Sequence, residues 1–218
     1  MSALNCFVTP HAVHIFTDGG HYDLDTISVR GIGNKVVPLP HYNAALAGIG
    51  LTFIPGALAM TMLTRSFGGF DGLIAAFPSF VRQSVETMRK YPGYPSDWGQ
   101  FELIVLGWSE AQNGPVAYHL SGYAKGDQPA WHFQEVTRFR APNDPSFREV
   151  EFDPENAAEF GLALMEEQRN TPFAVPTARP LPPGLGPMRY RVVHGFCQHT
   201  SIDRAGIHMR VLKHWRET

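Results

Sequence analysis

Four features in the first fifty residues have the types and spacing to do chemistry together. Ser2 follows Met1. Asp18 closes the run Ile15-Phe16-Thr17-Asp18 before Gly19-Gly20. Lys35 sits in Gly33-Asn34-Lys35-Val36-Val37, and an apolar stretch ends Ala44-Ala45-Leu46-Ala47-Gly48-Ile49-Gly50. A serine hydroxyl is a poor nucleophile at neutral pH and needs a base within hydrogen-bond reach. Removal of Met1 would give Ser2 a free α-amine, and an α-amine with its ordinary pKa of about 7.7–8.0 suits that task. A lysine ammonium nearby would depress the amine further, while Asp18 would hold Lys35 and balance its charge. The glycine-closed strand end at Gly48 completes the set. Glycine suits that place because substrate must come close to the backbone. Taken singly, each feature has a plainer reading: an ordinary chain start, a turn, a solvated lysine and a strand end.

At 218 residues the chain suits one domain, or two small ones, and reads as one, 1–218. Its hydrophobic fraction of 44% and charged fraction of 17% are those of a globular protein. Net charge is −2, both signs are scattered and no long basic run occurs, so nucleic acid and anionic membrane are not expected partners. The apolar stretch from Gly48 to Leu63 is broken by Thr52, Pro55 and Thr61 and is too short to span a bilayer. No basic segment leads into a long apolar run at the N-terminus, so a signal peptide is not expected and the location reads as cytoplasmic. Cys6 and Cys197 lie in apolar strand-like runs and are expected to be reduced and buried. The histidines show no convincing metal spacing: His11 and His14 sit three apart in an expected turn and strand, and His194 and His199, five apart on an expected strand, would point to opposite faces. His21, His41, His194 and His199 read as surface or hydrogen-bonded sheet residues, and Trp98, Trp108, Trp131 and Trp215 as packing or interface residues.

The elements that must position these groups follow from periodicity and turn chemistry. Ser2 to Thr9 and Ala12 to Thr17 are predicted as a hairpin closed at Pro10, because proline fixes φ and donates nothing to a ladder. Thr26 to Gly31 and Lys35 to Val37 read as short strands around a loop from His21 to Asn34, and Asn43 to Gly48 as an apolar strand after the turn Tyr42-Asn43. A helix is expected from Pro55 to Ser66, closed by Gly68-Gly69. A second is expected from Asp71, as N-cap, to Lys90, with Pro78 imposing a kink or a delayed start. Tyr91 to Pro95 is a loop. Phe101 to Ser109 and Gly114 to Leu120 form a hairpin, and Trp131 to Phe139 a further strand. Asp153 at N-cap and Pro154 at N1 open a helix to about Gln168. Thr171 to Pro187, with six prolines, is an irregular surface connection. Arg189 to Ile202 and Gly206 to Trp215 close the chain as a hairpin. Antiparallel hairpins interleaved with blocks of helices argue for an α+β fold and against a parallel βαβ sheet. No phosphate-loop pattern occurs, and Gly31-Ile32-Gly33 opens no helix.

In this order, with these residues, the chain resembles the proteasome β-type family of N-terminal-nucleophile hydrolases, best from Ser2 to about Leu120. Family members begin their first strand with threonine, serine or cysteine. An acid follows sixteen residues on, as Asp18 follows Ser2, and a lysine about sixteen beyond that, where Lys35 stands at seventeen. A strand ending Ala-Gly matches Ala47-Gly48, and the helix pair comes next. The resemblance implies a four-layer αββα sandwich of two antiparallel sheets flanked by helices, in a divergent bacterial or prophage-type member. It implies an amide hydrolase with Ser2 as nucleophile and its own α-amine as base, with Asp18, Lys35 and Gly48 completing the site, a peptide or other amide substrate, no cofactor, no metal and a homo-oligomer.

The C-terminal half departs from the family pattern. The family's glycine-serine-glycine turn after the central hairpin is absent from Thr137 to Asp144. If Gly195 opens the closing hairpin, Arg191 and His194 stand where the family has aspartate and serine, so the supporting hydrogen-bond network around the N-terminal amine is expected to be altered or absent. A small-molecule amidase with the same nucleophile, or a catalytically inactive structural or assembly protein of the same fold, would share most of these residues.

Overall fold

The structure, a computed structural model, describes residues 3–22, 28–51, 53–91, 100–143, 151–174 and 189–216. The first strands are β1 (Leu4–Val8), β2 (Val13–Asp18), β3 (Gly20–Tyr22), β4 (Val29–Ile32), β5 (Val36–Leu39) and β6 (Ala44–Ile49), followed by helices α1 (Ile54–Met62) and α2 (Phe70–Met88). After them come β7 (Glu102–Ser109), β8 (Gly114–Ser121), β9 (His132–Glu135), β10 (Arg138–Ala141), helix α3 (Ala157–Asn170), β11 (Phe173–Ala174), β12 (Arg189–Tyr190), β13 (Phe196–Asp203) and β14 (Gly206–His214). The fold is α+β: among the described residues there are two five-stranded antiparallel sheets, ordered β10-β1-β2-β13-β14 and β5-β6-β7-β8-β9, with three α-helices and two small ribbons, β3-β4 and β11-β12.

Local chemistry explains most boundaries. The β1–β2 turn is closed by Thr9, whose Oγ1 donates to the Ala12 carbonyl at 2.7 Å and accepts the Ala12 N–H at 3.0 Å. Pro38 is tolerated in β5 because that strand is a sheet edge, where a missing donor costs no ladder bond. Asn43 takes φ +44 to turn the chain into β6, a conformation asparagine accepts more readily than most residues. Its Nδ2 donates to the Asp203 carbonyl at 2.8 Å, tying this turn of one sheet to the β13–β14 turn of the other.

Several expectations need correction. Helix α1 stops at Met62, not Ser66: Thr64 and Arg65 bond back only three residues, to Thr61 and Met62, which tightens the chain out of the α-helix. Helix α2 starts at Phe70 and runs through Pro78, so the proline does not delay it. Asp71 is not its cap. Gly69 takes that position at φ +119, where side chains rarely fit, and Asp71 instead accepts the Ser109 hydroxyl at 2.6 Å and the Ala111 N–H at 3.0 Å.

The expected strand Trp131 to Phe139 is two strands in different sheets. Val136 still donates to Ala117 of β8, whereas the Thr137 carbonyl already accepts from Val8 of β1, so the chain changes sheets between them. Asp153 folds an Asx turn, accepting the N–H groups of Glu155 and Asn156, and delays α3 to Ala157. Arg189 to Ile202 is likewise split. Arg189–Tyr190 pairs with Phe173–Ala174, and the long strand begins only at Phe196, so His194 and His199 do not share a strand. Of the remaining expectations, Ser2, Thr26, Ile27, most of the loop 91–95, Trp98 and the connection after Ala174 lie outside the described residues.

Among the described residues three apolar clusters hold these elements. One joins α1 and α2 to the β5–β9 sheet through Leu58, Met62, Leu73, Phe77, Leu103 and Val105. The next draws on both sheets, with Leu4, Cys6 and Ile15 from one and Ala45, Ile104 and Leu106 from the other. The last joins α3 to the first sheet through Phe7, Phe16, Leu164 and Met165. Here α3 comes close: a Cβ on Gly161 would lie 2.0 Å from the Phe16 ring. Among the described residues no helix is long and apolar enough to cross a membrane.

Candidate functional site

Asp18 is the last residue of β2, where the ladders place it among chain starts and strand ends. Thr17 pairs with Leu4 of β1 and Asp18 itself with Cys197 of β13, so its neighbours are Ala3 and the residues leading into β13. The carboxylate is fully buried and well supplied with donors. Oδ1 accepts the Ala3 N–H at 3.0 Å, and Oδ2 accepts the Gly20 N–H at 2.9 Å and the His194 N–H at 3.2 Å. Gly19-Gly20 permits this crowding: a Cβ on Gly20 would lie 2.8 Å from the His194 side chain, and one on Gly19 would lie 2.6 Å from the Phe196 ring.

Lys35 enters from the other sheet, one residue before β5. Its Nζ lies 2.5 Å from Asp18 Oδ1, and the two side chains are 2% and 0% exposed. Burial pulls the lysine below its ordinary pKa, while the charge and hydrogen bond of Asp18 act in the opposite sense. The Tyr22 ring centre is 6.0 Å from the ammonium. His21 lies beside it as well, and burial, then the charge of Lys35, lower its pKa. Tyr22 and His21 sit on the β3-β4 ribbon, within the stretch read from sequence as a loop. Their only signal in the sequence is adjacency to Asp18-Gly19-Gly20.

Gly48 lies in β6, opposite Leu103 of β7. On the other side the ladder ends at Val36 and Ala47, so Lys35 and Gly48 are the next residues out on their two strands. Trp108 donates its N–H to the Asn43 carbonyl at 3.2 Å, and antiparallel alternation from there turns the Gly48 peptide toward β5, the side on which Lys35 lies. A side chain at Gly48 would meet Pro55 of α1, its Cβ 2.7 Å from that ring. Asp18 and Lys35 are thus in direct contact, and Gly48 neighbours Lys35 by register. Ser2, the fourth candidate, lies outside the described residues; Ala3, which follows it in the chain, donates to Asp18.

Arg191 and His194 contribute backbone. The His194 N–H reaches Asp18, its carbonyl accepts the Gly19 N–H at 2.9 Å, and the Arg191 carbonyl lies 3.2 Å from His194 Nε2. The two bonds made by the His194 backbone do not depend on its side chain, whereas the contact with the Arg191 carbonyl is made by the His194 ring itself.

An apolar hollow of about 330 Å³ lies elsewhere, between β5 and α1, lined by Val37, Leu39, Pro40, Tyr42, Met60 and Leu63. Among the described residues no group of three or more His, Cys, Asp or Glu side chains is placed to hold a metal ion. Chemically, the site offers a desolvated ammonium–carboxylate pair, three backbone donors already engaged and a glycine peptide one strand away. No protein-family model matches this chain, and no curated protein matches it either.

Proposed function

We propose that this chain is a proteasome-like N-terminal-nucleophile amide hydrolase, with Ser2 as nucleophile and its own α-amine as base once Met1 is removed. One observation carries the reading: the buried Asp18–Lys35 pair is anchored on the N–H of Ala3, the residue that follows Ser2. The Lys35 charge would favour the neutral amine, Asp18 would hold that charge in place, and the Gly48 N–H would receive the oxyanion. The apolar clusters, running from α1 and α2 through both sheets to α3, support a four-layer αββα sandwich. Peptides or other amides are the substrate class. A divergent bacterial or prophage-type relative, working as a cytoplasmic homo-oligomer, fits the same reading.

The test joins intact mass with activity. Protein lacking Met1 should acylate at Ser2 with a hydroxyl-reactive probe and cleave a fluorogenic peptide amide. Ser2→Ala should abolish both, and Lys35→Ala should slow cleavage by roughly 10²-fold or more. Retention of Met1 in protein from its native source, or an unchanged rate in Ser2→Ala, rejects the proposal. The near-complete burial of Lys35 and Asp18 favours one second reading, an inactive structural or assembly protein in which the pair only ties the two sheets together. Under that reading Ser2 is never labelled, yet Lys35→Ala still destabilises the fold.

A further inference from the structure

We propose that His14 and His199 form a proton-sensitive latch that holds the lead-in of α3 against the first sheet and releases it in acid. His14 Nδ1 lies 3.1 Å from His199 Nε2, on neighbouring strands β2 and β13. The residues are 9% and 5% exposed. Such a contact needs one N–H and one bare nitrogen, so the two facing atoms share a single proton. A second proton would set two donors face to face where water cannot take either of them.

The pair underlies an aromatic cluster. Phe16 stacks on His199 at 4.5 Å, and Phe152 lies 5.2 Å from His14. Phe152 also stacks on Phe7 at 4.6 Å and meets Phe160 of α3 edge-on at 5.1 Å. The imidazoles thus form the polar floor beneath the segment that delivers α3. Of the charged groups around them, Asp203 in the β13–β14 turn favours a charged His14, and Arg210, paired with His199 on β14, disfavours a charged His199. His208 on β14 stands across Ser201 from His14, in the same row, and its Nε2 lies 3.5 Å from Asp203 Oδ2. From β10, Arg138 lies over Phe7, and the acids at the start of α3, Asp153, Glu155 and Glu159, are exposed.

Burial outweighs these influences. It lowers His14, and with the charges of His14 and Arg210 it brings His199 down to about 3. Both folded-state values lie below the unfolded value near 6.5. The unfolded or released state therefore binds more protons, and the closed arrangement weakens as pH falls below that value. The β2–β13 ladder itself uses backbone bonds, so the effect is expected in the aromatic cluster and α3 first.

Amide hydrogen exchange at pH 7.5 and pH 5.0, corrected for intrinsic rates, tests the latch. In the wild type α3 is expected to lose protection about tenfold or more, because each pH unit in the titrating range is worth up to a factor of ten per proton. Protection in β6 and β7 should hold. His199→Phe, which keeps a ring stacked on Phe16, should shrink the acid response of α3 to the part carried by His14, and His14→Phe added to it should remove the rest. Nitrogen NMR of the wild-type imidazoles gives a reading that needs no variant: both rings should stay neutral at pH 6.5 and protonate only as α3 loses protection. Ordinary titration near pH 6.5 with α3 unchanged, an acid response spread evenly over β6 and β7, or a response that is undiminished in His199→Phe and persists in the His14→Phe/His199→Phe double variant each overturns the proposal.

Discussion

Lys35 Nζ lies 2.5 Å from Asp18 Oδ1 in a space that solvent does not reach. The two partners are not equally dependent on each other. The carboxylate also accepts N–H groups from Ala3, Gly20 and His194, so it keeps three donors if the lysine is lost. Among the described residues the ammonium draws its compensation chiefly from Asp18, with the Tyr22 ring centre 6.0 Å away and His21 nearby.

That asymmetry sets an order of stability losses. Asp18→Ala strands a buried ammonium and three backbone donors and should cost about 3–5 kcal/mol. Lys35→Met removes the charge that is hardest to bury and should cost less, about 1–3 kcal/mol. Urea denaturation of both variants at pH 7 checks the order. Equal losses, or a larger loss in Lys35→Met, would show that the backbone donors do not sustain the carboxylate.

The approach of α3 to the first sheet gives a second expectation. Alanine for glycine inside a helix ordinarily stabilises by about 1 kcal/mol. At Gly161 the added Cβ would lie 2.0 Å from Phe16, a ring already packed against Phe7, Phe152 and His199. Overpacking should outweigh the helix gain, leaving Gly161→Ala destabilised by about 1–3 kcal/mol. Gly56→Ala in α1 is the control: nothing lies within 4 Å of its added Cβ, so it should stabilise by roughly 0.5–1 kcal/mol. Thermal melts should move in opposite directions, and a higher Tm for Gly161→Ala rejects the packing argument.

The sequence carries the hairpins and helices well, because those depend on local periodicity and turn residues. The β1–β2 hairpin, β6, the β7–β8 hairpin and the buried stripe of α2 are each legible from neighbours a few positions apart. What it hides is which sheet a strand joins. Val136 and Thr137 alternate like one strand, yet they bond to different sheets, a choice made by β8 and β1 rather than by their own pattern. The site shows the same limit. Asp18 and Lys35 could be proposed from type and spacing, and they meet. The donors Gly20 and His194 act through backbone N–H groups, which every residue but proline has, so nothing in their identity marks them.

The two thiols should be inert in the folded protein. Burial pushes both Cys6 and Cys197 up to about 12, with the charges of Asp18 and Glu166 adding to the effect at Cys197. They also belong to different apolar clusters, Cys6 to the one shared by the sheets and Cys197 to the one beneath α3, so they are not placed to bridge. Alkylation with iodoacetamide at pH 8.5 should modify neither in native buffer and both at once in denaturant. Mass spectrometry checks this, and rapid native labelling of either thiol would show that its strand opens locally.

Glu102 gives an acid-side expectation separate from the histidine pair. Burial pushes its carboxyl upward, but contacts with His119 Nε2 at 2.8 Å and the Tyr123 hydroxyl at 2.7 Å, together with the Lys125 charge, outweigh that and hold it down to about 2. The folded value lies below the ordinary 4.5, so the stabilisation is complete above pH 4.5 and is lost as pH falls toward 2. The difference is worth roughly 3 kcal/mol. Glu102→Gln should therefore be less stable than the wild type at pH 7, with a flatter stability profile between pH 4.5 and pH 2. The losses that begin below pH 6.5 at His14, His21 and His199 are common to both proteins, so the difference between wild type and Glu102→Gln at each pH isolates the Glu102 contribution. Chemical denaturation at stepped pH reads both profiles, and parallel curves with and without the Glu102→Gln substitution would mean that His119 and Tyr123 do not hold the carboxylate ionised.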